Sequence, residues 1–193
     1  MADAAGQRGR GDWIDAGLRA LAEGGVEAVR VEALARALGV TKGSFYWHFR
    51  DRADLLQALM AEWETRRTEG VIQGADAAGG NASARLLNVT RAAAEADARL
   101  ELGMRSWGAM DPLAAAAVAR SDQRRLNYLA ALFRELGFPT NDAARRARLV
   151  YLARLGHLLS PADPEAANDE DALTLLHSVL SVPPSVPERN GTK

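Results

Sequence analysis

Five side chains able to meet a polyanion crowd one short stretch: Lys42, Ser44, Tyr46, Trp47 and His48. They supply a cation, hydroxyls and ring N–H donors, the groups that suit phosphate oxygens and base edges. The charge around them is local. Between residues 36 and 52, Arg36, Lys42, Arg50 and Arg52 face Asp51 alone, a net +3. Residues 1–69 as a whole hold 10 basic and 11 acidic residues. Over 193 residues the chain has 24 Lys+Arg and 25 Asp+Glu, a formal charge of −1. That balance excludes a globally basic nucleic-acid coat. A footprint this weakly charged implies modest monomer affinity, so two copies side by side are expected. Tyr46, Trp47, His48 and Phe49 also fit an aromatic cluster that only packs, and both readings stand at this point.

Other chemistries lack their residues. With no cysteine, disulfides, zinc-finger ligation, Fe–S clusters and thiol catalysis drop out. The chain carries no Walker loop, no G-x-S-x-G elbow and no H-E-x-x-H pair. His48, His157 and His177 are far apart in sequence and outline no metal cluster. The acidic stretch 163–171 lacks the spacing and central glycine of an EF-hand. No enzyme, no metal and no cofactor are therefore expected. The longest apolar run, 112–119, is too short to span a membrane. The opening MADAAGQRGRG has no apolar core of a secretory leader, so a cytoplasmic location is expected.

The elements that must position these groups read as helices. All 7 prolines lie at or after Pro112, good helix formers dominate, and no stretch shows strand-like alternation. The spacing of Ile14, Gly17, Leu18 and Leu21 predicts a first helix over 12–23. Two short helices follow, 31–38 and 42–48, joined by Leu38-Gly39-Val40-Thr41, with Thr41 as N-cap of the second. Leu34, Ala35, Leu38, Phe45 and Phe49 turn inward. That pair is a helix-turn-helix, whose second helix enters a major groove. Asp51 caps a fourth helix carrying Leu55, Leu59 and Trp63. Residues 70–82, rich in glycine, read as a loop between modules. Five more helices are expected over 83–181, about nine in all, and 182–193 reads as a flexible tail.

The run VEALARALGVTKGSFYWHFRDRADLLQAL resembles the DNA-binding domain of TetR-family transcriptional regulators. The likeness extends back through DWIDAGLRALAEGG, about a third of the chain. Gly39 to Ser44, then Tyr46, His48 and Phe49 and a basic residue before Leu55, carry the most specific part. The resemblance implies an all-α fold, with an N-terminal helix-turn-helix domain over 8–69 and an effector-binding and dimerisation domain over 83–181. It implies that Thr41, Lys42, Gly43, Ser44, Tyr46, Trp47, His48 and Arg52 face DNA, with Tyr46 and His48 on phosphates. It implies a ligand-responsive regulator, a repressor, that binds a palindromic double-stranded operator as a homodimer and is released by a small molecule. Arg30 departs from the family, which places a capping Ser or Thr there. Arg52 stands for a common lysine and keeps its charge.

The second module resembles the family loosely, through Arg105, Trp107, Asp111-Pro112, Asp122, Arg125, Gly137 and Tyr151. For an apolar or aromatic effector the candidate lining is Trp63, Met104, Trp107, Met110, Tyr128 and Phe133, residues that equally fill core. On the helix over 140–159, Leu149, Leu152, Gly156 and Leu159 form one stripe beside a second stripe that includes Val150 and Tyr151. The two are wider than one chain needs to bury. With the stripe Leu173, Leu176, Val179 and Leu180 of the last helix, in which Leu173, Leu176 and Leu180 are the seam residues, the first stripe predicts a four-helix dimer seam. A plain intrachain core is the alternative. Two rivals to the whole reading are a helical enzyme without a known motif and a helix-turn-helix protein answering to a protein partner.

Overall fold

The computed structural model describes residues 8–160 and 170–182; the tail from 183 and most of the acidic stretch lie outside them. Among the described residues there is no strand. The helices are α1 (Arg10–Gly24), α2 (Val31–Leu38), α3 (Lys42–Phe45), α4 (Arg52–Glu64), α5 (Gly70–Ala77), α6 (Ala82–Glu95), α7 (Ala98–Gly108), α8 (Pro112–Glu135), α9 (Thr140–Leu159) and α10 (Glu170–Ser181), with a 3-10 turn at Val26–Ala28. They fall into two compact units. One holds Met1–Val71 and Ala96–Arg124, the other Ile72–Glu95 and Arg125–Lys193. Residues 96–124, read from sequence as part of the second module, thus cluster with the first.

The expected loop at 70–82 is largely helix. A π-helical turn, Thr65–Glu69, carries α4 straight into α5. Glycines 70 and 74 each weaken a helix by about 1 kcal/mol against alanine, yet Ile72 and Ala75 are buried and offset that cost. Between α5 and α6 the helix is broken over residues 78–81, where Gly79 and Gly80 are both at positive φ.

In the first unit, Trp13, Ile14, Leu18 and Leu21 of α1 are buried against α2, α4 and α7. The α7 backbone lies so close to α1 that a Cβ on Gly103 would stand 2.7 Å from the Leu21 carbonyl oxygen. Only glycine fits there. The helix-turn-helix closes on Gly39, left-handed at φ 70°, whose N–H caps the α2 carbonyls of Ala35 and Arg36. Phe45 stacks on Phe49 at 5.4 Å and meets Trp13 edge-on at 5.2 Å, all three buried. These rings fix α3 on the core.

In the second unit, Leu86 and Val89 of α6, Leu129, Leu132 and Phe133 of α8 and Ala147 and Val150 of α9 are buried. Phe133 meets Phe138 edge-on at 5.9 Å. The Arg146 guanidinium covers the Phe138 ring at 4.1 Å and donates to the Leu180 carbonyl, tying α9 to the end of α10.

Candidate nucleic-acid interface

The aromatic run at 45–49 divides by direction. Phe45 and Phe49 are core, whereas Tyr46 is exposed and Trp47 is 86% exposed. A helical stretch anchored by residues four apart turns the intervening ones outward. Thr41, Lys42 and Gly43 are exposed beside them. Thr41 occupies the N-cap position, but its side chain makes no cap bond. The expected capping bond of its hydroxyl is thus not made. The Ser44 hydroxyl donates to the Thr41 carbonyl at 3.0 Å and is half-buried. A Cβ on Gly43 would meet Thr41 Oγ1 at 3.7 Å and nothing closer, so the fold does not demand glycine there.

Lys42 is not free. Its Nζ donates to a Glu32 carboxylate oxygen, Glu32 being on the first turn of α2. The bond lowers the Glu32 pKa and raises that of Lys42. His48 Nε2 bonds the Arg8 carbonyl at 2.8 Å. The His48 ring thus holds the segment before α1, and Nδ1 is the nitrogen left for another partner. Arg8 Nε donates toward the Leu38 carbonyl, and the Arg10 guanidinium covers the Phe49 ring at 4.8 Å. These two arginines add cations beside α3 that the sequence reading overlooked. Their signal was the RGR at 8–10, which sits 40 residues from His48.

Arg52 departs from its expected place. Its Nε donates to the Val29 carbonyl and its Nη2 to the Val26 carbonyl, each at 2.6 Å. The side chain is half-buried. It fastens the start of α4 to the turn before α2, where the resemblance had it face DNA. Arg30, the α2 N-cap, makes no cap bond and donates to the Glu27 carbonyl at 3.1 Å. Asp51 caps α4, accepting from the Asp54 N–H at 2.8 Å, while Asp54 accepts from the Arg50 N–H.

Residues 14–59 match the family described as bacterial regulatory proteins, tetR family. A transcriptional regulator of Shigella flexneri, AcrR, is 38% identical over 58 residues, 30% of this chain and 26% of that protein. TtgR of Pseudomonas putida is 41% identical over 54 residues, 28% of this chain and 26% of that protein. The chain thus matches about a quarter of the length of these curated relatives. A solved regulatory protein TetR from Rhodobacter sphaeroides is 28% identical, covers 89% of this chain and 96% of its own, and superposes with a TM-score of 0.69. The likeness to the TetR family thus lies in the sequence of residues 14–59 and, at lower identity, in the fold of most of the chain. Salmonella enterica GusR, 19% identical with a TM-score of 0.69 over 94% of this chain and 96% of its own, shares the fold. The matched curated relatives are all named as transcriptional regulators.

The candidate effector residues are scattered. Trp63, Met104 and Trp107 belong to the buried core of the first unit, with Trp13, Leu21 and Leu59. Met110 is 72% exposed. Tyr128 and Phe133 are buried in the second unit. The Tyr128 hydroxyl donates to Asp76 at 2.6 Å, and Arg85 links Asp76 to Glu135. Burial and the Asp76 carboxylate push the Tyr128 hydroxyl pKa up. Arg105 bridges Glu101 and Asp122, a structural clamp within the first unit.

On α9, Leu149, Leu152, Gly156 and Leu159 are all exposed, whereas Val150 and Tyr151 are buried. Of the expected row on α10, Leu173, Leu176 and Leu180 are half-buried and Val179 is exposed, as are Leu175 and, just past the helix, Val182. α10 packs on α6, and His177 Nε2 is 2.8 Å from Ser83 Oγ of that helix. Asp163, Glu165 and Asp169 lie outside the described residues; Glu170 pairs with Arg91 of α6. Among the described residues no three His, Cys, Asp or Glu gather to hold a metal, and no helix is long and apolar enough to cross a membrane.

Proposed function

We propose that this chain is a homodimeric TetR-family repressor that grips a palindromic operator in the cytoplasm and is released by an apolar or aromatic small molecule. One observation carries the DNA half: Thr41, Lys42, Gly43, Tyr46 and Trp47 are exposed together on α3 and the residues flanking it, while Phe45 and Phe49 of the same stretch are buried. Large aromatics left in water beside a cation suit a groove lined with phosphates, bases and thymine methyls. The room around Gly43 supports close approach of the DNA backbone.

The dimer is supported by the α9 leucine row and by Leu175 and Val179 of α10 with Val182 just past it. Helices with a second apolar face left in solvent find a partner, and twofold copies meet through the same face. Two recognition helices then sit about 34–36 Å apart, one DNA turn, or a multiple of it. An effector acts by its differential affinity for two spacings of those helices, only one of which fits successive grooves.

The test compares native chain with Tyr46→Ala and Thr41→Ala on operator and random duplexes at fixed salt. Tyr46→Ala weakens both duplexes by similar factors, as a phosphate contact should. Thr41→Ala weakens operator binding more. Unchanged affinity of both variants on both duplexes removes the DNA face from this helix.

A further inference from the structure

Glu32 is out of place for a surface that meets DNA. It stands on the first turn of α2, bonded to Lys42, the first residue of α3. The two side chains are about half exposed, at 60% and 52%. An exposed pair of this kind contributes little to stability, so the fold does not account for it. A carboxylate brought against phosphates costs affinity unless an N–H meets it. The nearby arginine of α2's cap, Arg30, donates to the Glu27 carbonyl and acts on Glu32 only through its charge, as the weakest of the contributions.

Major-groove edges offer two exocyclic N–H donors, adenine N6 and cytosine N4. A G·C pair presents the guanine N7 and O6 acceptors and, next to them, the cytosine N4 donor. The contacting Lys42 ammonium and Glu32 carboxylate present the complement, donors beside an acceptor. On an A·T pair the same carboxylate would face the thymine O4, acceptor against acceptor. We propose that Glu32 and Lys42 act as one reader of a single G·C pair in each half-site. Lys42 Nζ donates to guanine N7 and O6, and Glu32 accepts from cytosine N4. Glu32 is then a specificity residue that the exposed face of α3 alone does not reveal. The proposal rests on the operator reading above.

The full native chain selects binders from duplexes randomised over about two DNA turns, roughly 20 base pairs. Its affinities for the winning duplex and for single-pair replacements are then measured at one salt concentration, beside those of Glu32→Ala and Lys42→Ala. Expected is one G·C position per half-site where replacement by A·T costs the native chain about tenfold or more. Both variants lose that preference and keep preferences elsewhere. Both side chains are exposed, so circular dichroism should match native. If Glu32→Ala instead strengthens binding to every duplex by one factor, with all preferences intact, Glu32 merely repels phosphates and the proposal falls while the operator reading stands. If the native chain selects no sequence, the operator reading falls and takes the proposal with it.

Discussion

Replacing Arg52 by alanine separates a structural clamp from a phosphate ligand. The native guanidinium makes two charge-assisted bonds of 2.6 Å, to the carbonyls of Val29 and Val26. Bonds to a charged group contribute about 1.5–3 kcal/mol each. Because the side chain is only half-buried, the pair belongs at the low end, and the loss should total about 2–3 kcal/mol. For a chain of this size that lowers Tm by roughly 4–12 °C. Arg52→Lys, which offers one ammonium where the guanidinium fork reached two carbonyls, should fall between. Thermal unfolding followed by circular dichroism measures the loss. The salt dependence of DNA binding supplies the contrast, since a lost phosphate contact reduces the slope of log affinity against log salt by about 0.9. The clamp predicts a lower Tm with an unchanged slope. A native Tm with a slope reduced by one contact would refute the reasoning and return Arg52 to the DNA face.

Leu152→Glu should leave the monomer's fold intact, because this side chain is already exposed in one chain. Facing its own copy across a twofold seam, the carboxylate would cost several kcal/mol; sedimentation should show native dimer and variant monomer, and a variant that stays dimeric moves the seam off α9. Trp107→Ala should destabilise the first unit by about 3–5 kcal/mol, as truncation of a buried tryptophan does, and denaturant titration reading a native midpoint would overturn its core role. Asp54 has its pKa held below the ordinary 3.8 by the Arg50 N–H and guanidinium. Its contribution is therefore complete above that range and lost as pH falls through the lowered value. Asp54→Asn should remove this part of the acid dependence, and acid titrations that superpose for variant and native chain would show that the cap is not felt.

The helix-turn-helix was legible from the chain because its determinants are local. Leu34, Leu38, Phe45 and Phe49 recur at helical spacing, Gly39 supplies a left-handed turn, and Asp51 caps α4 three residues from its donor. Short-range sterics and hydrogen bonds decide such features before any tertiary contact forms. The direction of long polar side chains was not legible. Arg52 reaches carbonyls 23 and 26 residues away, and His48 reaches Arg8 across 40. No spacing rule encodes those contacts, because only packing brings their partners near. The same holds for the glycines at 70 and 74, whose local cost is offset by burying Ile72 and Ala75. On α10 the sequence shows the apolar stripe Leu173, Leu176, Val179 and Leu180; only packing on α6 decides that Leu173, Leu176 and Leu180 are half-buried while Val179 faces solvent beside Leu175.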